Sequence, residues 1–378
     1  MRMGGLVRRA AAAACVVAAG LCLGAWAQPT QVPFEEHYLW LAGETVFMSP
    51  DGGTSWQEMV TGLPETARAI DIVALPDSGP RALLLTNDGL LRYEHFRGAW
   101  APCALPARDR LRQLLCVWEP TARSFDDGRA YTGKGRAVYA LGESYLWRTG
   151  DGGETWMYRD LPVAGVWRIT GGCDGGREIV YLQSPGAVHM CIDMHGKWRQ
   201  RDGGLPLDGH TSVMAAAIPN DPVRAYAVAG RQVYATQSGG QQWQLIHEND
   251  GTGWADPLDA WALGPLPGTL YLRWQVSNPM ALPELSIGVE GKRWQAVGVD
   301  TIDLAADPFN DEGLFVVRCA EKTEIGTPGK SELLRARLSD PARWEAVGPV
   351  PGGSTLAVAC RLPEGASTPV IMTAMHNE

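Results

Sequence analysis

The chain is short of positive charge, of clustered metal ligands and of long apolar runs, and each shortage removes a class of function. Thirty-three Lys and Arg stand against 42 Asp and Glu, a formal charge of −9. An acidic chain offers no electrostatic footprint for nucleic acid or an anionic membrane, so neither is an expected partner. The histidines and cysteines form no C-x-x-C pair and no His cluster, so no metal site is expected, and no cofactor motif is present. Beyond residue 27 no stretch is apolar enough to cross a bilayer. None sustains a helical period over three turns either; "RDRLRQLL", residues 108–115, comes nearest and is short.

The N-terminus reads as an export signal. Arg2, Arg8 and Arg9 precede an Ala-rich apolar run from Ala10 to Leu23, and Ala25-Trp26-Ala27 supplies a small-x-small cleavage pattern. Residues 1–27 are therefore expected to be a signal peptide cut before Gln28, with residues 28–378 forming the folded domain in the periplasm or outside the cell. Cleavage removes three positive charges and leaves 351 residues at −12. Six cysteines remain: Cys103, Cys116, Cys173, Cys191, Cys319 and Cys360. Export permits disulfides. The pairs 103–116 and 173–191 would close short loops and 319–360 a longer one, while burial as apolar thiols is the alternative.

What the chain has in abundance is turns, with 45 Gly and 26 Pro, and tryptophan, with 15. "SPDGGTSW" (49–56) returns as "TGDGGETW" (149–156), and a Trp closes a comparable short turn at Trp100, Trp198, Trp243, Trp294 and Trp344. The seven tryptophans lie 44, 56, 42, 45, 51 and 50 residues apart, the period of a propeller or array. A hydrophobic-Pro step follows most of them: Leu63-Pro64, Leu105-Pro106, Leu161-Pro162, Leu205-Pro206 and Val350-Pro351. Between the tryptophans lie short runs rich in Val, Ile, Leu and Tyr, separated by turn signals. Four antiparallel strands per period make a propeller blade. The expected fold is all-β: one β-propeller of seven four-stranded blades, with eight as the alternative, closed by N- and C-terminal strands sharing a blade.

The phrases Ser49-x-Asp51-x-Gly53-x-Ser55-Trp56 and Thr149-x-Asp151-x-Gly153-x-Thr155-Trp156 resemble the Asp box of the bacterial neuraminidase repeat family. At the other turns Asp193 keeps the acid, and Gly240 and Gly291 keep the glycine. A structural role is expected. The Asp accepts backbone N–H groups within the turn, Gly53 and Gly153 adopt positive φ, and Trp56 and Trp156 cover the hairpin. The resemblance implies a turn between the third and fourth strands, on the face opposite the ligand site. The candidate face then carries 108–113, 162–168, 206–210, 249–261 and 275–284. Its candidate ligand-binding residues are Trp167, Arg168, Asp208, His210, Trp254, Asp256, Asp259 and Trp261. The last four fall in a segment read as a loop, where the two tryptophans could instead plug the channel mouth. Arg108, Arg110, Arg112 and Arg168 are the only grouped arginines on this face.

Similar propellers divide between function classes. Photosystem II assembly and stability factors and the sortilin ectodomain are non-catalytic, which implies an exported module that binds or scaffolds a protein or glycan partner. Sialidases and xyloglucanases imply a glycoside hydrolase, and a structural module of a larger envelope complex is a third class. The first sialidase arginine lies in a Phe/Tyr-Arg-Ile-Pro phrase that this chain lacks; "WRIT" (167–170) is its nearest echo and has no Pro. A glycosidase needs only two suitably spaced carboxylates, and no motif singles out a pair. The binding module is therefore the favoured function and the hydrolase the alternative.

Overall fold

A computed structural model describes residues 37–360 apart from 44, 76–79, 120–122, 125–129, 132–133, 175, 208–212, 219–220, 249–253, 264–268, 277–283, 290–292, 307–313, 320–330, 338–339 and 352–354. The described chain is built of antiparallel strands around a ring. Sheet 1 orders Thr355–Cys360, His37–Ala42, Val46–Ser49 and Gln57–Glu58. Sheet 2 comprises Ala69–Leu75, Arg81–Thr86, Gly89–Glu94 and Ala99–Pro102. Sheet 3 comprises Gln113–Glu119, Lys134–Leu141, Tyr145–Thr149 and Met157–Asp160. Sheet 4 comprises Arg168–Asp174, Arg177–Ser184, Ala187–Ile192 and Arg199–Gln200. Sheet 5 comprises Val213–Ile218, Asp221–Ala229, Gln232–Thr236 and Gln244–Glu248. Sheet 6 has seven strands: Trp254–Leu263, Thr269–Val276, Glu284–Val289, Arg293–Ala306, Leu314–Cys319, Ser331–Arg337 and Asp340–Pro349.

The expected seven or eight blades are corrected to six. The cause lies in Arg293–Ala306, a strand of 14 residues. Its first part pairs with Glu284–Val289 and its last part with Leu314–Cys319, so the backbone runs through the boundary placed after Trp294. After sheets 1 to 4 a Leu-Pro step follows the outer strand. After Trp294 the sequence is "QAVGVDTIDL", with neither Pro nor a Gly-rich turn between the two paired parts. Closure takes the expected form, because Thr355–Cys360 pairs along its whole length with His37–Ala42. Both chain ends thereby give up an open edge.

Composition follows radius. The innermost strand Val213–Ile218 is buried at all six positions, whereas both residues of the outer strand Gln57–Glu58 are exposed. The repeated Trp and Leu-Pro step together join one sheet to the next. Trp100 donates its indole N–H to the Met59 carbonyl (2.8 Å) and its amide to that of Thr61 (2.9 Å). Trp243 repeats this geometry on Arg201 (2.8 Å) and Gly203 (2.7 Å). Gly62 and Gly204 follow these acceptors at φ +84° and +91°, and each Cα lies against the Trp backbone, where a Cβ would stand 2.3 and 2.6 Å from its carbonyl oxygen. Leu63 and Leu205 then pack into the clusters that hold Trp100 and Trp243. A bend only glycine allows, followed by an apolar plug, explains why the phrase recurs.

The thiols of Cys103, Cys116, Cys173 and Cys191 form no disulfide, which corrects the pairings 103–116 and 173–191. Cys173 pairs with Glu178 on the first ladder of sheet 4, and Cys191 with Val180 on the next. Two ladders span about 10 Å, beyond the reach of a disulfide. Cys103 follows the last strand of sheet 2, and Cys116 lies in the first strand of sheet 3. Burial pushes the Cys103 thiol up to about 12 and that of Cys191 to about 11. Cys319 and Cys360 end the strands Leu314–Cys319 and Thr355–Cys360.

Candidate functional site

In an antiparallel four-strand sheet the turns joining strands 1–2 and 3–4 lie at one end. The hairpins joining strands 2–3 and the connectors to the next sheet lie at the other. The two Asp-box-like phrases fill 3–4 turns. Asp51 accepts the Ser49 hydroxyl (2.8 Å), the Ser55 amide (2.9 Å) and the Ser55 hydroxyl (2.6 Å). Asp151 accepts the Thr149 hydroxyl (2.7 Å), the Glu154 and Thr155 amides (both 2.9 Å) and the Thr155 hydroxyl (2.5 Å). Burial raises both carboxyls, but these hydrogen bonds outweigh it and hold each below the ordinary Asp value. Gly53 and Gly153 take φ +94° and +95°.

A third turn reproduces the geometry without an acid. Thr236 Oγ1 accepts the amides of Ser238 (3.2 Å) and Gly240 (3.1 Å), and Ser238 Oγ accepts that of Gln242 (3.1 Å). Asp193, counted as a degenerate relative, behaves otherwise. It sits at φ 55° and its carboxylate accepts the Glu178 amide across the sheet (2.9 Å).

At the opposite end, one register position in the inner strands carries polar side chains. Asp71, Gln113, Arg168, Asp259 and Asp303 pair with Leu85, Leu141, Gln183, Arg273 and Val317. Three of them reach along or across the ring. Asp71 Oδ2 accepts the Leu114 amide (2.7 Å), and Gln113 both accepts from the Ile169 amide (2.9 Å) and donates to its carbonyl (3.2 Å). Arg168 Nη2 donates to the Ala260 carbonyl (2.9 Å), past the intervening sheet 5.

The expected site is thus partly assembled and partly redrawn. Trp254, Asp256, Asp259 and Trp261 do not form a loop but belong to the inner strand Trp254–Leu263, paired with Thr269–Val276. Arg168 meets that strand at Ala260, between Asp259 and Trp261, and half-buried Trp167 packs on the cluster containing Ala260 and Ala262. Asp208 and His210 lie outside the described residues.

The arginines divide. Arg112 bonds the Glu143 carboxylate (2.9 Å) and the Val166 carbonyl (3.4 Å), and Arg110 stands 3.9 Å from Glu143. Arg168 faces the 254–263 strand instead.

Two features of this end escaped the sequence pattern. Asp109 accepts five N–H groups: those of Arg110 (3.0 Å), Glu143 (3.0 Å), Ser144 (3.2 Å) and Tyr145 (3.1 Å), and the buried Trp147 indole (3.0 Å). Gly142 leaves room for it, since a Cβ there would lie 1.8 Å from Asp109 Oδ2. In sheet 2, Asn87 ties the hairpin to the preceding connector by accepting the Arg68 amide (2.6 Å) and donating to the Thr66 carbonyl (3.2 Å). The only advance signal was the short polar residue in each turn.

A Tyr-Glu-Arg group occurs at the other end. Tyr139 donates to Glu178, which Arg148 grips through Nε (2.7 Å) and Nη2 (2.5 Å). Tyr139 is 0% exposed, and burial, reinforced by the Glu178 charge, raises its phenol well above the usual value. The group ties sheet 3 to sheet 4 at the end that carries the Asp turns.

Among the described residues no helix is long and apolar enough to cross a membrane, and no group of three His, Cys, Asp or Glu could hold a metal ion. No protein-family model and no curated protein matches the chain. Solved structures do. One from a study of two prolyl endopeptidases aligns over 88% of this chain and 50% of its own, at 12% identity and a TM-score of 0.52. YCF48 bound to D1 peptide aligns over 80% and 88%, at 13% and 0.49. The GH74 enzyme of Niastella koreensis aligns over 84% and 64%, at 12% and 0.41. Identities this low speak to architecture alone, and the architecture is that of a single all-β propeller.

Proposed function

We propose that the chain is an exported, non-catalytic β-propeller that binds or scaffolds a protein partner through the face opposite its Asp-box-like turns. One observation carries the proposal: the connectors and hairpins of that face are pinned by side chains. Asp109 holds 142–147, Asn87 holds 66–68 and Gln113 holds Ile169. A pre-set platform loses little entropy on association, as a binding surface requires. The acids of the Asp turns are spent on their own backbone, which makes them structural. Trp167, Arg168 and the 254–263 strand mark where the partner meets the channel mouth. A glycan is the second ligand class.

The test places a photo-crosslinking residue at 164 or at 154, on opposite ends, and maps adducts formed in periplasmic or secreted extracts. A specific adduct from 164 that Trp254→Ala removes, with none from 154, supports the proposal. Adducts from 154 alone overturn it. Hydrolysis of a fluorogenic sialoside or of xyloglucan above background would make the chain a glycosidase.

A further inference from the structure

From Arg108 to Arg112 burial alternates residue by residue. Arg108, Arg110 and Arg112 are exposed, Asp109 is half-buried and Leu111 is buried. Both inward positions are fixed, Asp109 by its five donors and Leu111 within the core shared by sheets 2 and 3. The Arg112 amide is also bonded to the Leu141 carbonyl (2.7 Å). Alternating burial on a pinned backbone turns the three arginine side chains outward, and an extended path through 108–112 would space them about 6.6 Å apart, twice the rise of an extended chain. An extended peptide repeats its same-side residues at that interval. The Arg110 side chain is 83% exposed, and Glu143 is the acid that approaches the row, 2.9 Å from Arg112 and 3.9 Å from Arg110.

We propose that Arg108, Arg110 and Arg112 form a docking ladder for an extended acidic segment of the protein partner, with carboxylates at alternate residues. The proposal rests on the binding-module function above and gives its partner a chemistry. Charge complementarity selects the occupant: the chain as a whole carries a formal charge of −9, and a local row of three arginines attracts an acidic segment against that background. Arginine suits the task because its planar fork takes a carboxylate bidentately. Glu143 occupies part of the row and must be displaced.

The test is fluorescence anisotropy on the mature chain at low salt. One labelled ten-residue peptide alternates Glu and Thr, and a second has the same composition with all Glu in one block. The alternating peptide should bind about fivefold more tightly, the equivalent of one or two extra surface ion pairs. Arg110→Ala should weaken it about fivefold without changing Tm. Glu143→Gln should tighten it by removing the competing carboxylate. Equal affinity for the two peptides, no measurable binding, or indifference to Arg110→Ala overturns the ladder. Those failures leave the crosslinking result at 164 standing, so loss of the ladder and loss of the binding function are distinguishable.

Discussion

Removing the Asp109 carboxylate tests how the face opposite the Asp turns is held. In Asp109→Ala five N–H groups lose their acceptor. The amides of Arg110, Glu143 and Ser144 belong to exposed residues, where water replaces the carboxylate at little cost. The Trp147 indole and the Tyr145 amide differ, because Trp147 is 0% exposed and Tyr145 packs beside it with ring centroids 5.8 Å apart. A hydrogen bond to a charged acceptor contributes about 1.5–3 kcal/mol, and a buried donor left unpaired costs about 1–3. The two shielded donors together set an expected loss of about 3 kcal/mol. For a domain of this size that lowers Tm by roughly 5 °C. Urea unfolding gives the magnitude, and amide hydrogen exchange locates it, with protection lost first at 143–147. Asp109→Asn keeps one acceptor and should fall between the two. A loss below about 0.5 kcal/mol, or exchange unchanged at 143–147, would refute the clamp.

Other expectations follow from the same geometry. Asp151→Ala exposes mostly solvent-accessible donors, so it should cost about 1 kcal/mol in urea unfolding and leave adducts formed from position 164 unchanged. Gly204→Ala adds a Cβ 2.6 Å from the Trp243 carbonyl at φ +91°, and should destabilise by about 2–4 kcal/mol, whereas Gly230→Ala, with open space around its Cβ, pays only for its φ of +55°. Burial lowers the His189 pKa, with Asp202 acting against it. Below about 6.5 the unfolded chain therefore takes up a proton that the folded chain resists, and stability should fall as pH drops from that point. Tm measured against pH should flatten in that window for His189→Gln. Asp51 and Asp151, held below the ordinary Asp value, contribute stability that is present above about 3.8 and lost only as pH falls through their lower folded values.

The sequence by itself determined the features written in short windows. Runs of Val, Ile and Leu between Gly and Pro turns make strands and nothing else. A Trp every 42 to 56 residues makes them a repeat, and the apolar phrases at the two ends supply the strands that close the ring. The turns at Ser49 and Thr149 were legible because their donors and acceptors lie within four residues of each other. Tertiary structure decided whatever depends on contact between distant segments. Six blades replace seven or eight because one strand, Arg293–Ala306, continues from its pairing with Glu284–Val289 into its pairing with Leu314–Cys319, a continuity that no short window announces. The segment at Trp254 became a strand because Thr269–Val276 lies beside it. Asp109 reads as one more loop acid until a hairpin 34 residues away delivers the Glu143 amide to its carboxylate, since periodicity reports which way a residue faces and not what it meets.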